Sequence, residues 1–317
     1  MTHGNSMVEK VREYLRVRRA TGMRLRIEGQ QLLSFAHFAD RQRHRSPLTV
    51  ALAVRWACAS PRAGPVGRAR RLEVVRPFAR YLCAFDDRTE VPAPGLLGPA
   101  HRRRAPCIFT DHQIDQLLTR AARLPPAKGL RSVTIRTLLG LLACTGLRPS
   151  EAVALRNADI DLQGGILTIR QTKFRKSRLV PIHASAVRAL RQYGRVRDQS
   201  VSTEADAFFV LAAGVPLTLV QAERAFAWIR HHLNWSVPAG RRAPRLYDLR
   251  HTFACRRVQR WYADAVDVDN AITALATYLG HVKVSDTYWY LSATPELMAL
   301  AAGRFETFTS ERNRRIL

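Results

Sequence analysis

TIRTLLGLLACTGLRPSE (residues 134–151) sets the reading of this 317-residue chain. Its apolar first part reads as a buried helix that stops at Gly146. Arg148 then sits between the end of that helix and the start of another, which carries Glu151. An arginine at such a junction is, taken alone, an ordinary structural salt-bridge partner. The residues downstream give it company. ILTIRQ (166–171) and RLVPI (178–182) read as a strand pair joined by the polar, basic turn TKFRKS. Lys173 lies on that turn, flanked by Arg175, Lys176 and Arg178. Helical patterns return at about 184–197, 218–233, 249–263 and 269–278. The third of them opens with Tyr247-Asp248-Leu249-Arg250-His251-Thr252-Phe253. The fourth runs into Leu279-Gly280-His281, with Tyr290 nine residues later in SDTYWYL. Upstream, Thr110 and Gln113 form a capping box for a helix near 111–123.

Residues 6–86 read as helices with little strand character. MVEKVREYLRVRRATG is amphipathic and ends at Gly22, and a second helix spans roughly 26–40 with Leu32, Phe35, Ala36 and Ala39 on one stripe. In SPLTVALAVRWACAS, Ser46 is the expected N-cap with Pro47 at the first helical position. A further helix from about 66 to 84 carries Arg68, Arg70, Arg71, Arg76 and Arg80. The stretch DDRTEVPAPGLLGPAHRRRAP is rich in proline and unpatterned, and it reads as a linker over 88–107 containing Arg102, Arg103 and Arg104. The expected organisation is therefore a helical domain at 1–87, a linker at 88–107 and a second domain at 108–317. The expected class is mainly α with a small antiparallel β-sheet.

Charge narrows the function. Lys+Arg number 51 against 25 Asp+Glu, for a net charge of +26. Residues 1–106 hold 21 basic and 8 acidic side chains and 107–317 hold 30 and 17, so each part carries +13. A tail would concentrate such charge, whereas two basic halves suit a protein that grips a long polyanion with both domains. No run approaches the roughly 20 apolar residues of a membrane span, and the N-terminal residues contain no apolar signal core. Five cysteines at irregular spacings suggest neither a zinc site nor a disulfide framework. Cys144 and Cys255 read as buried thiols. His231 and His232 are adjacent, which is wrong for one helix face, and no carboxylate or cysteine pattern completes a metal site. With no P-loop or GxGxxG, no cofactor is called for.

Together and in this order, TGLRxSE, the hairpin lysine, xDLRHTF, LGH and the tyrosine beyond it resemble the tyrosine site-specific recombinases, the phage-integrase family. The resemblance covers about 108–292 closely. Residues 6–86 suit that family's helical, SAM-like core-DNA-binding domain. The resemblance implies that Tyr290 attacks a DNA phosphodiester, forming a 3′-phosphotyrosyl bond that is later resealed through a Holliday junction. Tyr288 is the rival nucleophile. Two positions on a helix differ by about 200° in direction, and the family spacing from His281 selects Tyr290. Arg148 and Arg250 match the family's two arginines, whose forks suit the non-bridging oxygens of a phosphate. Lys173 matches the hairpin lysine that protonates the departing 5′-oxygen. His281 matches the residue that hydrogen-bonds the phosphate and positions the tyrosine, and Glu151 matches a carboxylate that orients the site.

One position departs from the pattern. The xDLRH motif usually begins with histidine, and here that residue is Tyr247. A phenol can donate a hydrogen bond to phosphate but is a poor proton acceptor at neutral pH. His251, next to Arg250, is read as facing elsewhere on the helix in a structural role. Expected DNA contacts are Arg68, Arg70, Arg71, Arg102, Arg103, Arg104, Arg175 and Lys176. The implied partner is double-stranded DNA with specific recombination sites. The implied assembly is a homotetramer on DNA, with sister recombinases or accessory proteins as further candidates. Neither membrane, metal nor ATP is expected, and the resemblance implies a bacterial cytoplasmic, nucleoid-associated location. The segment TPELMALAAGRFETF, with Thr294 as N-cap and Phe305 and Phe308 on its apolar stripe, reads as a docking tail. With SDTYWYL it points to a mobile-element integrase of transposon-borne type. A type IB topoisomerase and a catalytically silent DNA-binding regulator are the rival readings.

Overall fold

A computed structural model describes residues 6–44, 47–100, 106–126, 129–170, 177–201, 206–235 and 242–292, with a few isolated positions between 298 and 306. Arg102, Arg103, Arg104, Lys173, Arg175 and Lys176 lie outside the described residues, as do Ser46, Thr294, Phe305 and Phe308. The chain divides into two compact units, Met1–Arg104 and Ala105–Leu317.

The first unit holds α1 (Met7–Ala20), α2 (Arg26–Arg41), α3 (Val50–Cys58) and α4 (Pro65–Cys83). Ser6 and Glu9 close a capping box at the head of α1, and Pro65 sits at the first turn of α4, where its missing N–H has no partner to lose. Leu32, Phe35, Trp56, Leu72, Val75 and Phe78 form its core. The expected start of α3 at Ser46 is corrected. The helix begins at Val50, with Thr49 Oγ1 accepting from Leu52 N at 3.2 Å. Leu48 is sunk into the core ahead of it, and Glu90 takes the Val50 N–H at 2.7 Å. The expected linker is also shortened at its front. Residues 88–100 are tied down within the first unit: Arg76 Nε donates to Pro92 O at 2.9 Å, Arg70 Nε to Ala100 O at 2.8 Å, and Glu90 N to Leu48 O at 2.9 Å.

The second unit is built around α6 (Leu130–Thr145). More than half of its residues are buried, over a broad face that takes in Leu130, Ile135, Leu138, Leu139 and Leu142, while Arg136 and Cys144 on the opposite face are exposed. α5 (Asp111–Ala121), α8 (Ala184–Ser200), α9 (Leu219–His232) and α10 (Asp248–Ala263) complete the larger helices near it. The capping box of Thr110 and Gln113 is present at the start of α5. After the short α7 (Pro149–Val153) comes a three-stranded antiparallel sheet, β1 (Ile160–Asp161), β2 (Ile166–Ile169) and β3 (Arg178–Pro181), in that spatial order. β2 and β3 pair with Leu167 opposite Val180 and Ile169 opposite Arg178. Leu167, Ile169 and Val180 face the core, the two-residue alternation of a half-buried strand. The sequence pattern missed β1, which is too short to show any period.

A second, smaller core lies where α10 meets α11 (Val268–Leu279), α12 (Ser285–Tyr288) and the 3₁₀ turn Trp289–Ser292. Cys255 is buried there, whereas Cys144 is exposed, because it sits on the face of α6 that lines an apolar cleft with Leu118 and Val196. Among the described residues no helix is long and apolar enough to cross a membrane.

Candidate active site

Helix α11 ends at Leu279, and the turn beyond it gathers the site. The last carbonyls of a helix have no partner within it and carry its negative dipole end, so they attract cations. Three arginines from three different elements take three successive carbonyls here. Arg178 of β3 donates from Nε to Tyr278 O at 2.8 Å. Arg250 of α10 donates from one terminal nitrogen to Leu279 O at 2.8 Å, and Arg148, at the head of α7, donates to Gly280 O at 3.0 Å. Arg250 also reaches Gly146 O at 2.9 Å, which fastens the end of α6 to the same point.

Two glycines make this convergence possible. Gly146 and Gly280 both have positive φ, +63° and +72°, the left-handed region glycine enters without strain. Each is also crowded. A Cβ at Gly280 would lie 2.6 Å from the Arg178 guanidinium, and one at Gly146 would lie 2.5 Å from the Phe253 ring.

Glu151 neutralises part of this charge. Its carboxylate accepts from Arg148 at 2.6 Å, from Arg178 at 2.8 and 3.1 Å, and from the Arg148 backbone N–H at 3.0 Å. Burial alone would raise the Glu151 pKa, but hydrogen bonds and charge from Arg178 and Arg148 win and hold it below the usual carboxylate range. Arg178, which the sequence pattern places only as a flank of the hairpin lysine, is thus the second arginine on Glu151. Its partners lie 27 and 100 residues away, so no local pattern could have shown them.

Arg250 is 1% exposed. A guanidinium has five N–H donors. Three of Arg250's go to Gly146 O, Leu279 O and His281 Nε2, and its Nε has no partner among the described residues. His281 faces it with Nε2 at 3.0 Å, and His281 Nδ1 lies 2.6 Å from Thr287 Oγ1. An arginine only donates, so His281 Nε2 must be the accepting nitrogen, and Nδ1 carries the hydrogen given to Thr287. Burial, aided by Arg250 and Arg148, depresses the His281 pKa to about 4, which keeps the ring neutral. Thr287 belongs to α12, so this bond ties the turn to the segment that carries the tyrosines.

Tyr290 points inward and is 3% exposed, while Tyr288 is 47% exposed. The Tyr290 ring stacks on His281 at 6.1 Å between centroids. Burial raises its pKa, and the adjoining Arg250 guanidinium opposes that shift. Tyr247 stands at the head of α10. Arg148, Arg250, His281, Glu151, Tyr247 and Tyr290 are therefore brought to one place.

One expectation is corrected. His251 does not face away. Its ring lies 5.7 Å from that of Tyr290 and 5.2 Å from that of Tyr247. Residues 247 and 251 are four apart, which puts them on one helix face. That spacing is legible in the sequence, whereas adjacency to Arg250 suggests the opposite face.

Of the expected DNA contacts that are described, Arg68 and Arg70 are exposed on α4. Arg71 is half-buried, its guanidinium lying 3.9 Å over the Trp56 ring and donating to Trp56 O at 2.9 Å.

Known proteins share both the sequence pattern and the fold. The model of the phage integrase family matches residues 108–296. A putative integrase/recombinase, y4rB of Sinorhizobium fredii, is 39% identical over 303 residues, covering 94% of this chain and 96% of its own. The tyrosine recombinase XerC of Chlamydia trachomatis serovar L2 is 31% identical over 229 residues, covering 72% and 67%. Among solved structures, the Tn1549 transposon integrase in complex with transposon right end DNA superposes with a TM-score of 0.67 at 15% identity. That match covers 96% of this chain and 100% of the other, and at such identity it shows the shared fold.

Proposed function

The chain belongs to the phage integrase family of tyrosine recombinases, enzymes that cleave and rejoin DNA, and from that premise we propose the chemistry of its site. Tyr290 is the nucleophile. Its phenolic oxygen bonds to the phosphorus of a DNA phosphodiester as the bond to the 5′-oxygen breaks, leaving a 3′-phosphotyrosyl link and a free 5′-hydroxyl. Arg148 and Arg250 hold the non-bridging oxygens, where negative charge grows in the transition state. His281 keeps Arg250 and the tyrosine segment in register. Lys173 protonates the 5′-oxygen. A second 5′-hydroxyl then attacks the link and reseals the strand. Two such exchanges on paired sites pass through a four-way junction.

The observation that carries this reading is the placement of Tyr290 between Arg250, His281 and the carbonyl turn of α11. The +26 charge, equal on both parts of the chain, supports double-stranded DNA as the partner. The relatives named integrase and the Tn1549 transposon integrase fold support a mobile element as the thing moved, with a homotetramer on DNA as the working assembly. Arg68 and Arg70, with Arg102, Arg103, Arg104, Arg175 and Lys176, contribute phosphate contacts. Arg71 serves chiefly to brace Trp56.

The test uses a library of nicked duplexes with randomised cores. Nicking releases a short fragment on cleavage and traps the covalent state. Wild type should retain a selected DNA sequence through denaturation and yield branched junction products when two intact copies of that sequence are supplied. Tyr290→Phe should retain none. Covalent retention without junctions would replace recombination with topoisomerase-like chemistry, and no retention by wild type would leave a DNA-binding regulator.

A further inference from the structure

Attack by Tyr290 needs somewhere for the phenolic proton to go, and three neighbours offer themselves. His281 is committed at both ring nitrogens: Nε2 accepts from Arg250 and Nδ1 donates to Thr287. It has no lone pair left for a proton. Tyr247, standing where the motif usually has histidine, is a phenol and no better a base than the nucleophile itself. The third neighbour is His251. Its Nδ1 is buried and has no hydrogen-bond partner among the described residues, although buried polar atoms are almost always paired. Its ring is tilted against Tyr290 at 5.7 Å between centroids and packs edge-on to Tyr247 at 5.2 Å. At that separation a modest swing of the Tyr290 ring, of the kind attack on a bound phosphate requires, brings its hydroxyl within reach of an imidazole nitrogen.

We propose that His251 is the proton acceptor for Tyr290, filling from one helical turn later on α10 the place left by the tyrosine at position 247.

The inference rests on Tyr290 being the nucleophile. The step balances: Oη–P forms, P–O5′ breaks, the phenolic proton moves to His251, and the 5′-oxygen is protonated by a separate acid. On resealing the proton returns from His251 to the phenol. Electrostatics fit both states of the site. Without DNA, burial together with Arg245 and Arg250 pushes the His251 pKa down to about 4, so the ring is neutral and able to accept. A bound phosphate places negative charge against Arg250 and raises the basicity of His251 during the reaction.

Single-turnover cleavage by the full-length protein, on the nicked duplex that the library selection recovers, tests this in two substrate forms. One carries an ordinary scissile phosphate. The other has sulfur in place of the 5′-bridging oxygen, a leaving group that departs without a proton. His251→Gln should slow adduct formation by about 100-fold on both, with DNA retention before cleavage unchanged. A variant lacking the leaving-group acid, by contrast, should recover on sulfur. Tyr247→His added to His251→Gln should restore about tenfold or more, and free imidazole should speed His251→Gly but not Tyr290→Phe. Should His251→Gln fold poorly, His251→Asn together with the imidazole rescue carries the test. A His251→Gln rate within about threefold of wild type, a defect that vanishes on sulfur, or no response to imidazole overturns the proposal while leaving Tyr290 as nucleophile. If wild type forms no adduct, the reading of the site falls and this one with it.

Discussion

The site has two walls of opposite construction. On one side Arg148, Arg178 and Glu151 are locked by charge-assisted hydrogen bonds to one another and to the carbonyls beyond α11. On the other, Tyr247, His251 and Tyr290 meet ring to ring, with a buried nitrogen left unpaired among the described residues. Arg250 and His281 stand between them. The difference teaches what each wall is for. Groups that must stay put while charge develops on a phosphate are held by many bonds, since preorganised dipoles need not reorganise during reaction. Groups that must move, or exchange a proton, are held by packing that a small rotation can release.

Under that division, damage to the two walls should look different. The largest effect is expected at the centre. Arg250→Ala leaves Gly146 O, Leu279 O and His281 Nε2 without their donor, so it should lower stability as well as abolish adduct formation. Thermal unfolding and the trapping assay should fail together, and a normal Tm with lost activity would show that the carbonyl bonds are dispensable.

Next is Glu151→Ala. The side chain is buried between two arginines, and removing one member of such a cluster costs about 3 kcal/mol or more. For a unit of this size that lowers Tm by roughly 6–12 °C. Gly146→Ala comes third, at about 1–3 kcal/mol for overpacking against Phe253 in addition to its positive φ. The same measurements on His251→Gln should show little change in Tm at pH 7, since the aromatic wall makes few hydrogen bonds to lose.

A further effect is the dependence of stability on pH. His251 and His281 both sit at about 4 in the folded protein against 6.5 unfolded. Between those values the unfolded chain binds more protons than the folded one, so stability falls as pH drops from about 6.5 towards 4. Tm should decline over that window in wild type and decline less in His251→Gln. An equal slope in both would mean that His251 is not held neutral by its surroundings.

How much of this the sequence disclosed tracks the same division. The cationic centre announces itself through short runs: glycine then arginine at 146–148, Arg250 in xDLRH, and glycine then histidine at 280–281. A glycine in the left-handed region and a fixed charge leave a local imprint. The mainly helical class and the strand pair were legible for a related reason, since their periods are local. Arg178 was not legible, because its role is set by Glu151 and Tyr278, which only the fold brings near. His251 was misplaced because its meaning depends on where Tyr290 comes to rest. The start of α3 and the docking of residues 88–100 were missed likewise, since Glu90 and Arg76 choose partners far along the chain.

Locating the protein–DNA bond itself bears most directly on the central claim. Wild-type protein trapped on the nicked duplex, digested by protease and nuclease and mapped by mass spectrometry, should carry a nucleotide phosphate on Tyr290, joined to the 3′ side of the break. The same modification on Tyr288 or any other residue, or joined to the 5′ side, would contradict the account.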